Sequence, residues 1–142
     1  MNTQNKLIKS KKRVDDLGEV FTKEETVDLM LNNIHENYWI NNKTFLEPTC
    51  GNGNFLVKIL EKKVKYGHSI IDSLSSTYGI DIMKDNVIES RKNMLSKAND
   101  LGLCKTKWPQ AIDIIKKNII CGDIMSLDLD KAFKSNCSKE KQ

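Results

Sequence analysis

Apolar residues along the chain fall into two alternating patterns. Val27, Met30, Leu31 and Ile34 recur at helical spacing, which places one apolar stripe on one face of a helix. Thr22 followed three residues later by Glu25 has the form of a capping box, in which two side chains satisfy free amides of a first helical turn, so that helix is expected to begin there. Residues 43–47, "KTFLE", read as a short strand, and residues 54–65 as a helix with Leu56, Ile59, Leu60 and Val64 on one face. A second strand is expected over residues 77–82, "TYGIDI", and a further helix over 84–98 from Val87, Ile88, Arg91, Met94 and Leu95. Residues 111–117 suggest a short helix opening after Pro109, and 118–125, "NIICGDIM", a strand with the turn that leaves it.

Strand, helix, strand, helix, strand is the order of parallel crossover units, which predicts an α/β fold on an open parallel sheet. The core is expected over residues 18–130. Residues 1–17 read as a basic arm carrying Lys6, Lys9, Lys11, Lys12 and Arg13, suited to phosphate contact on nucleic acid or simply to solvation. Residues 131–142 read as a polar, frayed tail.

Composition narrows this picture. At 142 residues, 39% hydrophobic and 30% charged, the chain suits one globular domain. It has no apolar run of about 18 residues and no apolar segment near the N-terminus of the kind a secretory signal needs, so a cytoplasmic location is expected. The net charge of +4 permits an anionic partner without requiring one. Cys50, Cys104, Cys121 and Cys137 show no CxxC spacing, so reduced thiols and no zinc site are expected. His35 and His68 have no nucleophile or ligand partner at informative spacing and suit helix ends or the surface. Trp39 and Trp108 flank helices and suit a core better than base stacking. Cys50 suits packing better than nucleophilic attack.

The glycine-rich turn in "FLEPTCGNGNFLVKIL" is where chemistry is expected, because ligands of open parallel sheets bind beyond the carboxyl ends of the strands. No Lys followed by Ser or Thr comes after Gly51 and Gly53, which excludes a nucleoside triphosphate loop. Leu56 stands where a dinucleotide fingerprint needs its third glycine. A ligand without phosphate but with an amino-acid end and an adenosine end remains. Glu47 closes the first strand, where it could face an ammonium group. Asp81 closes the second, where ribose hydroxyls could be held by charge-assisted hydrogen bonds, and Asp123 follows the third, near an adenine amino group. Each acid alone could equally be a turn or helix cap.

These residues resemble the N-terminal part of the S-adenosylmethionine-dependent DNA methyltransferases that modify adenine at N6, especially those of restriction-modification systems. "GEVFT" resembles the segment that contacts the cofactor ahead of a helix, "EPTCGNGNF" the first motif, "GIDI" the second and "CGDIM" the third. The resemblance implies a Rossmann-like methyltransferase fold that binds S-adenosyl-L-methionine. Phe21, Thr22, Glu47 and Gly51 would lie near the methionine end, Asp81 on the ribose, Ile82 against adenine and Asp123 at its amino group, with Pro48 and Gly53 also among the cofactor-binding residues.

The family extracts adenine from the duplex and holds it with an Asn, Asp or Ser followed by Pro-Pro and an aromatic. This chain has only Pro48 and Pro109, so that tetrapeptide is absent and no catalytic residue is assigned. A fold truncated after about three strands is therefore expected, as a piece of a longer protein or as one half of a split enzyme. DNA is the expected partner of the complete enzyme. The first strand is expected to be an open edge that attracts a protein partner or another copy of the chain. The alternatives are a non-catalytic domain that binds S-adenosylmethionine or a protein, and, more remotely, methylation of protein or RNA.

Overall fold

A computed structural model of the chain describes residues 7–134. Among them the elements run α1 (Lys11–Leu17), α2 (Glu24–Asn32), α3 (Glu36–Ile40), β1 (Phe45–Glu47), α4 (Asn54–Lys65), α5 (Ile70–Ser75), β2 (Thr77–Asp81), α6 (Lys84–Asp100), α7 (Trp108–Asn118), β3 (Ile119–Cys121) and α8 (Leu129–Lys134), with a 3₁₀ turn at Lys105–Lys107. The strands form one parallel sheet in the order β1-β2-β3, so the fold is α/β on an open parallel sheet. Within the described residues no helix is long and apolar enough to cross a membrane.

Register and alternation divide the sheet into two faces. Phe45 pairs with Thr77, Glu47 with Gly79, Gly79 with Ile119 and Asp81 with Cys121, so these residues share one face. Ile119 joins Leu56, Leu60, Leu74, Val87, Met94, Ala111 and Ile115 in the main core, which α4, α6 and α7 lay on that face. Phe45 packs with a second cluster of Val27, Leu31, Trp39 and Ile59 and stacks on Trp39 with ring centroids 4.7 Å apart. Leu46, Tyr78, Ile80 and Ile120 point to the other face, where Phe133 of α8 meets Tyr78 edge-on at 4.8 Å. β1 forms one edge of the sheet, and Leu46 on it is 39% exposed.

Several segments depart from the sequence reading. The capping box at Thr22 does not form: α2 starts at Glu24, and its N-cap Lys23 makes no side-chain cap. The Thr22 carbonyl instead accepts from Asn54 Nδ2 at 3.1 Å, which fixes the segment against the start of α4. The first long helix is broken into α2 and α3, since His35 Nδ1 accepts from the Asn37 amide and opens a new helix. Met30 and Ile88, placed on buried stripes, are 51% and 56% exposed. Helix α5 has only a weak apolar pattern and is opened by Ser69, whose side chain accepts from the Asp72 amide. The tail expected from residue 131 begins inside α8, anchored by Phe133; residues 135–142, with Cys137, lie outside the described residues. Trp39 is fully buried, and His35 serves a helix end.

Lys63 is the residue that apolar spacing misreads most. It lies on the inward face of α4 and is fully buried. Its Nζ donates to the Lys43 carbonyl at 2.8 Å and to the carbonyl and hydroxyl of Ser76, tying together the chain just ahead of β1 and β2. The same ammonium lies 5.0 Å from the Phe45 ring centroid, an attractive placement for a cation. Its partners are neutral, and burial pushes its pKa down from 10.5 to about 8.

A lysine whose folded pKa is depressed loses its proton first in the native state. Between pH of about 8 and about 10.5 the unfolded chain therefore binds more protons, and stability rises with pH. Chemical denaturation should show wild type gaining on the order of 3 kcal/mol across that window relative to Lys63→Met. Parallel pH profiles for the two proteins would contradict this role.

Candidate functional site

The carboxyl ends of the three strands open into one cleft of about 490 Å³. Pro48, Thr49 and Gly51 line it from the turn after β1, Asp81 and Ile82 from the end of β2, and Gly122 to Met125 from the loop after β3. The segment from Leu17 to Phe21 closes the remaining side. A larger groove of about 620 Å³ lies between α2, α3 and α4. Part of its charge is already paired, with Lys58 on Glu24 and Asp28, while Lys62 donates to the neutral Asn32, and the groove does not lie at the strand ends. The strand-end cleft is therefore the stronger candidate.

Asp81 organises the cleft. Its Oδ2 accepts from the Gly51 amide at 2.9 Å, and its Oδ1 from the Met83 amide at 2.8 Å and Asn86 Nδ2 at 3.1 Å. A carboxylate has about four acceptor sites. The protein fills three, which leaves Oδ2 room for one hydroxyl rather than a grip on two.

The glycine turn is held from both sides. Cys50 N donates to the Ile80 carbonyl at 2.8 Å, and Ser90 Oγ and Asn93 Nδ2 of α6 donate to the carbonyls of Gly51 and Asn52. Gly51 has φ +54°, and a Cβ there would lie 3.1 Å from the Phe21 ring, which covers it. Gly53 has φ +89° but does not line the cleft, and its missing Cβ admits the Ser90 backbone, 3.2 Å from where that atom would be. Leu56 touches Gly79: a Cβ on that glycine would lie 2.7 Å from Leu56 Cδ1. The close helix-strand approach that a dinucleotide fingerprint secures with a glycine on the helix is secured here by one on the strand.

The remaining sequence candidates divide. Phe21, Pro48, Gly51, Asp81, Ile82 and Asp123 meet in the cleft, whereas Thr22, Glu47 and Gly53 stand behind its lining. Glu47 folds back on Thr49, accepting from its amide at 3.2 Å and its hydroxyl at 3.3 Å, and burial raises its pKa despite those bonds. Asp123 Oδ1 accepts from the Met125 amide at 3.0 Å, capping its own turn. Cys50 is buried, and burial pushes its thiol up to about 12, which suits packing and not attack.

Two features of the cleft bear on its ligand. Glu19, Asp81 and Asp123 line it and no lysine, arginine or histidine does. Arg13 neutralises Glu19 from behind the lining, which leaves Asp81 and Asp123 without a basic partner, so the field inside favours a cation and opposes phosphate. Val20, Ile82 and Met125 expose apolar surface at its walls, at 57%, 51% and 90%, which suits a flat, weakly polar group. From residue 7 onward the basic arm is docked on the fold, while Lys6 lies outside the described residues. Arg13 pairs with Glu19 and Asp85, and Lys9 with Asp85 and Glu89. Within the described residues no cluster of metal-ligating side chains occurs.

Residues missed from sequence are Glu19, Asn86, Ser90 and Asn93. The last three are polar at helical spacing on the α6 face toward the turn, a stripe that a search for apolar residues passes over.

Comparison with protein-family models, with curated proteins and with solved structures finds no match to the chain.

Gly53→Ala should destabilise the fold by about 1–3 kcal/mol, since the new methyl meets the α6 backbone in a left-handed conformation. Urea denaturation measures this, and unchanged stability would show that the glycine is not required for packing.

Proposed function

We propose that the cleft binds S-adenosylmethionine and that the chain is the cofactor-binding portion of an adenine-N6 DNA methyltransferase. The observation that carries this reading is the combination of two carboxylates without a basic partner, Asp81 and Asp123, with exposed apolar walls and no basic side chain in the lining at the ends of parallel strands. Nucleotides and dinucleotides carry phosphates that such a field repels. S-adenosylmethionine carries a sulfonium and an ammonium against a single carboxylate, and its net positive charge with an uncharged adenosine fits that field.

When bound there, this cofactor supplies a methyl group on positively charged sulfur, open to attack by an amino nitrogen. Asp81 takes one ribose hydroxyl on Oδ2 while its other bonds hold the glycine turn in place. Ile82 and Val20 give apolar surface for the adenine, and Phe21 closes the turn from above. Glu47, behind the lining and hydrogen-bonded to Thr49, adds negative potential beside the amino-acid end.

The 142 residues contain Pro48 and Pro109 and no adjacent prolines, so the base-holding loop of the resembled family has no counterpart among them. The reading therefore assigns adenine binding and DNA recognition to polypeptide beyond these residues, meeting the open edge at β1. The same lack of a base-holding loop favours a second reading, a non-catalytic domain that keeps the cofactor site and acts through a protein partner.

Calorimetry should show saturable one-to-one binding of S-adenosylmethionine that neither ATP nor NAD displaces. No binding, or displacement by ATP, would sink the cofactor assignment. With labelled cofactor and DNA, the chain alone should transfer no methyl group to adenine N6, and transfer should appear on adding a polypeptide that carries the Pro-Pro-aromatic loop. Transfer by the purified chain alone would contradict the division of labour. Cofactor binding without transfer under any pairing would favour the second reading.

A further inference from the structure

We propose that Asn86 is a positioning residue that couples docking of the N-terminal segment, residues 7–21, to the placement of Asp81, making that segment a strap that holds the cleft in its binding form. The proposal takes only the identity of the ligand from the cofactor reading; the coupling stands on the protein's own contacts.

Asn86 sits in the first turn of α6 and is fully buried. Its Nδ2 donates to Glu19 Oε2 at 2.7 Å and to Asp81 Oδ1 at 3.1 Å, while its Oδ1 accepts from Lys9 Nζ at 2.5 Å. An amide nitrogen has two donors, and here both are spent on carboxylates from opposite walls of the cleft. A purely space-filling role on this helix face would be met by an apolar side chain, as Val87 and Met94 meet it nearby.

Two carboxylates converging on one amide repel each other unless one is neutralised. Arg13 does this for Glu19, with Nε 2.9 Å from Oε1 and an NH2 contact of 3.0 Å to Oε2. The same guanidinium forks onto Asp85 at 2.6 and 3.0 Å, fixing α1 to the start of α6. The strap then closes on itself where the Phe21 amide donates to the Leu7 carbonyl at 2.7 Å. Phe21 covers Gly51, whose amide donates to the second oxygen of Asp81. Arg13, Glu19, Asn86, Asp81 and Gly51 thus form a continuous path from an exterior ion pair to the glycine turn. A path of this kind predicts that loosening its outer end is felt at its inner end.

Hydrogen exchange in the full chain reads both ends separately, through the Phe21 amide for strap docking and the Gly51 amide for Asp81. Arg13→Met touches neither Asp81 nor Gly51, yet it should speed exchange at both amides by about tenfold or more and weaken S-adenosylmethionine by about tenfold, with Arg13→Lys recovering part of each loss. In a double-mutant cycle with Asn86→Ala, the affinity losses should fall well short of multiplying. Faster exchange at Phe21 with Gly51 and affinity unchanged would overturn the coupling, as would independent multiplication or no response at either amide. If Asn86→Ala fails to fold, the two Arg13 variants decide the question. If wild type binds no S-adenosylmethionine, the cofactor reading fails alone, and the paired amides still decide whether the strap positions Asp81.

Discussion

The structure depends on one carboxylate placed where three segments must meet. Asp81 ends the central strand, and backbone amides from the turn after β1 and from the turn into α6 both donate to it. Both bonds are partly buried, and a buried amide left unpaired costs about 1–3 kcal/mol. The acid therefore earns its place structurally before any ligand arrives. Its remaining acceptor site faces the cleft, so the group that shapes the site is also the group that can bind.

This double duty explains the charge pattern around the cleft. Acids gather at the strand ends, while the cations that would neutralise them stand outside the lining, with Arg13 behind Glu19 and Lys9 on α6. The cleft keeps a negative interior, and the N-terminal segment stays attached through the exterior pairs. Hydrogen bonds from Arg13 hold the Asp85 carboxyl well below the ordinary carboxylate range, with a smaller contribution from Lys9. That pair is half exposed on the Asp85 side, so its value lies in orientation more than in net stability.

The architecture was legible in the sequence where one signal dominated. The helix at 54–65 and the strand ending at Asp81 follow from clean periodicity and a glycine turn, and both are present. The meeting of Gly51, Asp81 and Asp123 in one cleft also followed, because parallel order sends all three strand ends to one side, whereas Phe21 and Ile82 were expected there from the family resemblance alone. What escaped were polar residues on buried faces. Lys63 and Asn86 sit where helical spacing asks for apolar side chains, and their burial is tolerated only because distant segments supply acceptors or donors. Gly53 stands off the cleft's lining. Its position beside Gly51 suggests a ligand contact, whereas its lack of a side chain serves the crossing of α4 and α6.

The most direct test of the account is a map of amide chemical shifts across the isotope-labelled chain during titration with S-adenosylmethionine. Binding at the strand-end cleft should give saturable shifts concentrated at Phe21, Gly51, Ile82 and the Gly122–Asp123 turn, with smaller ones at Glu19 and Asn86. Shifts centred on the groove between α2 and α4, around Lys58, Lys62 and Tyr66, or a titration that never saturates, would contradict it.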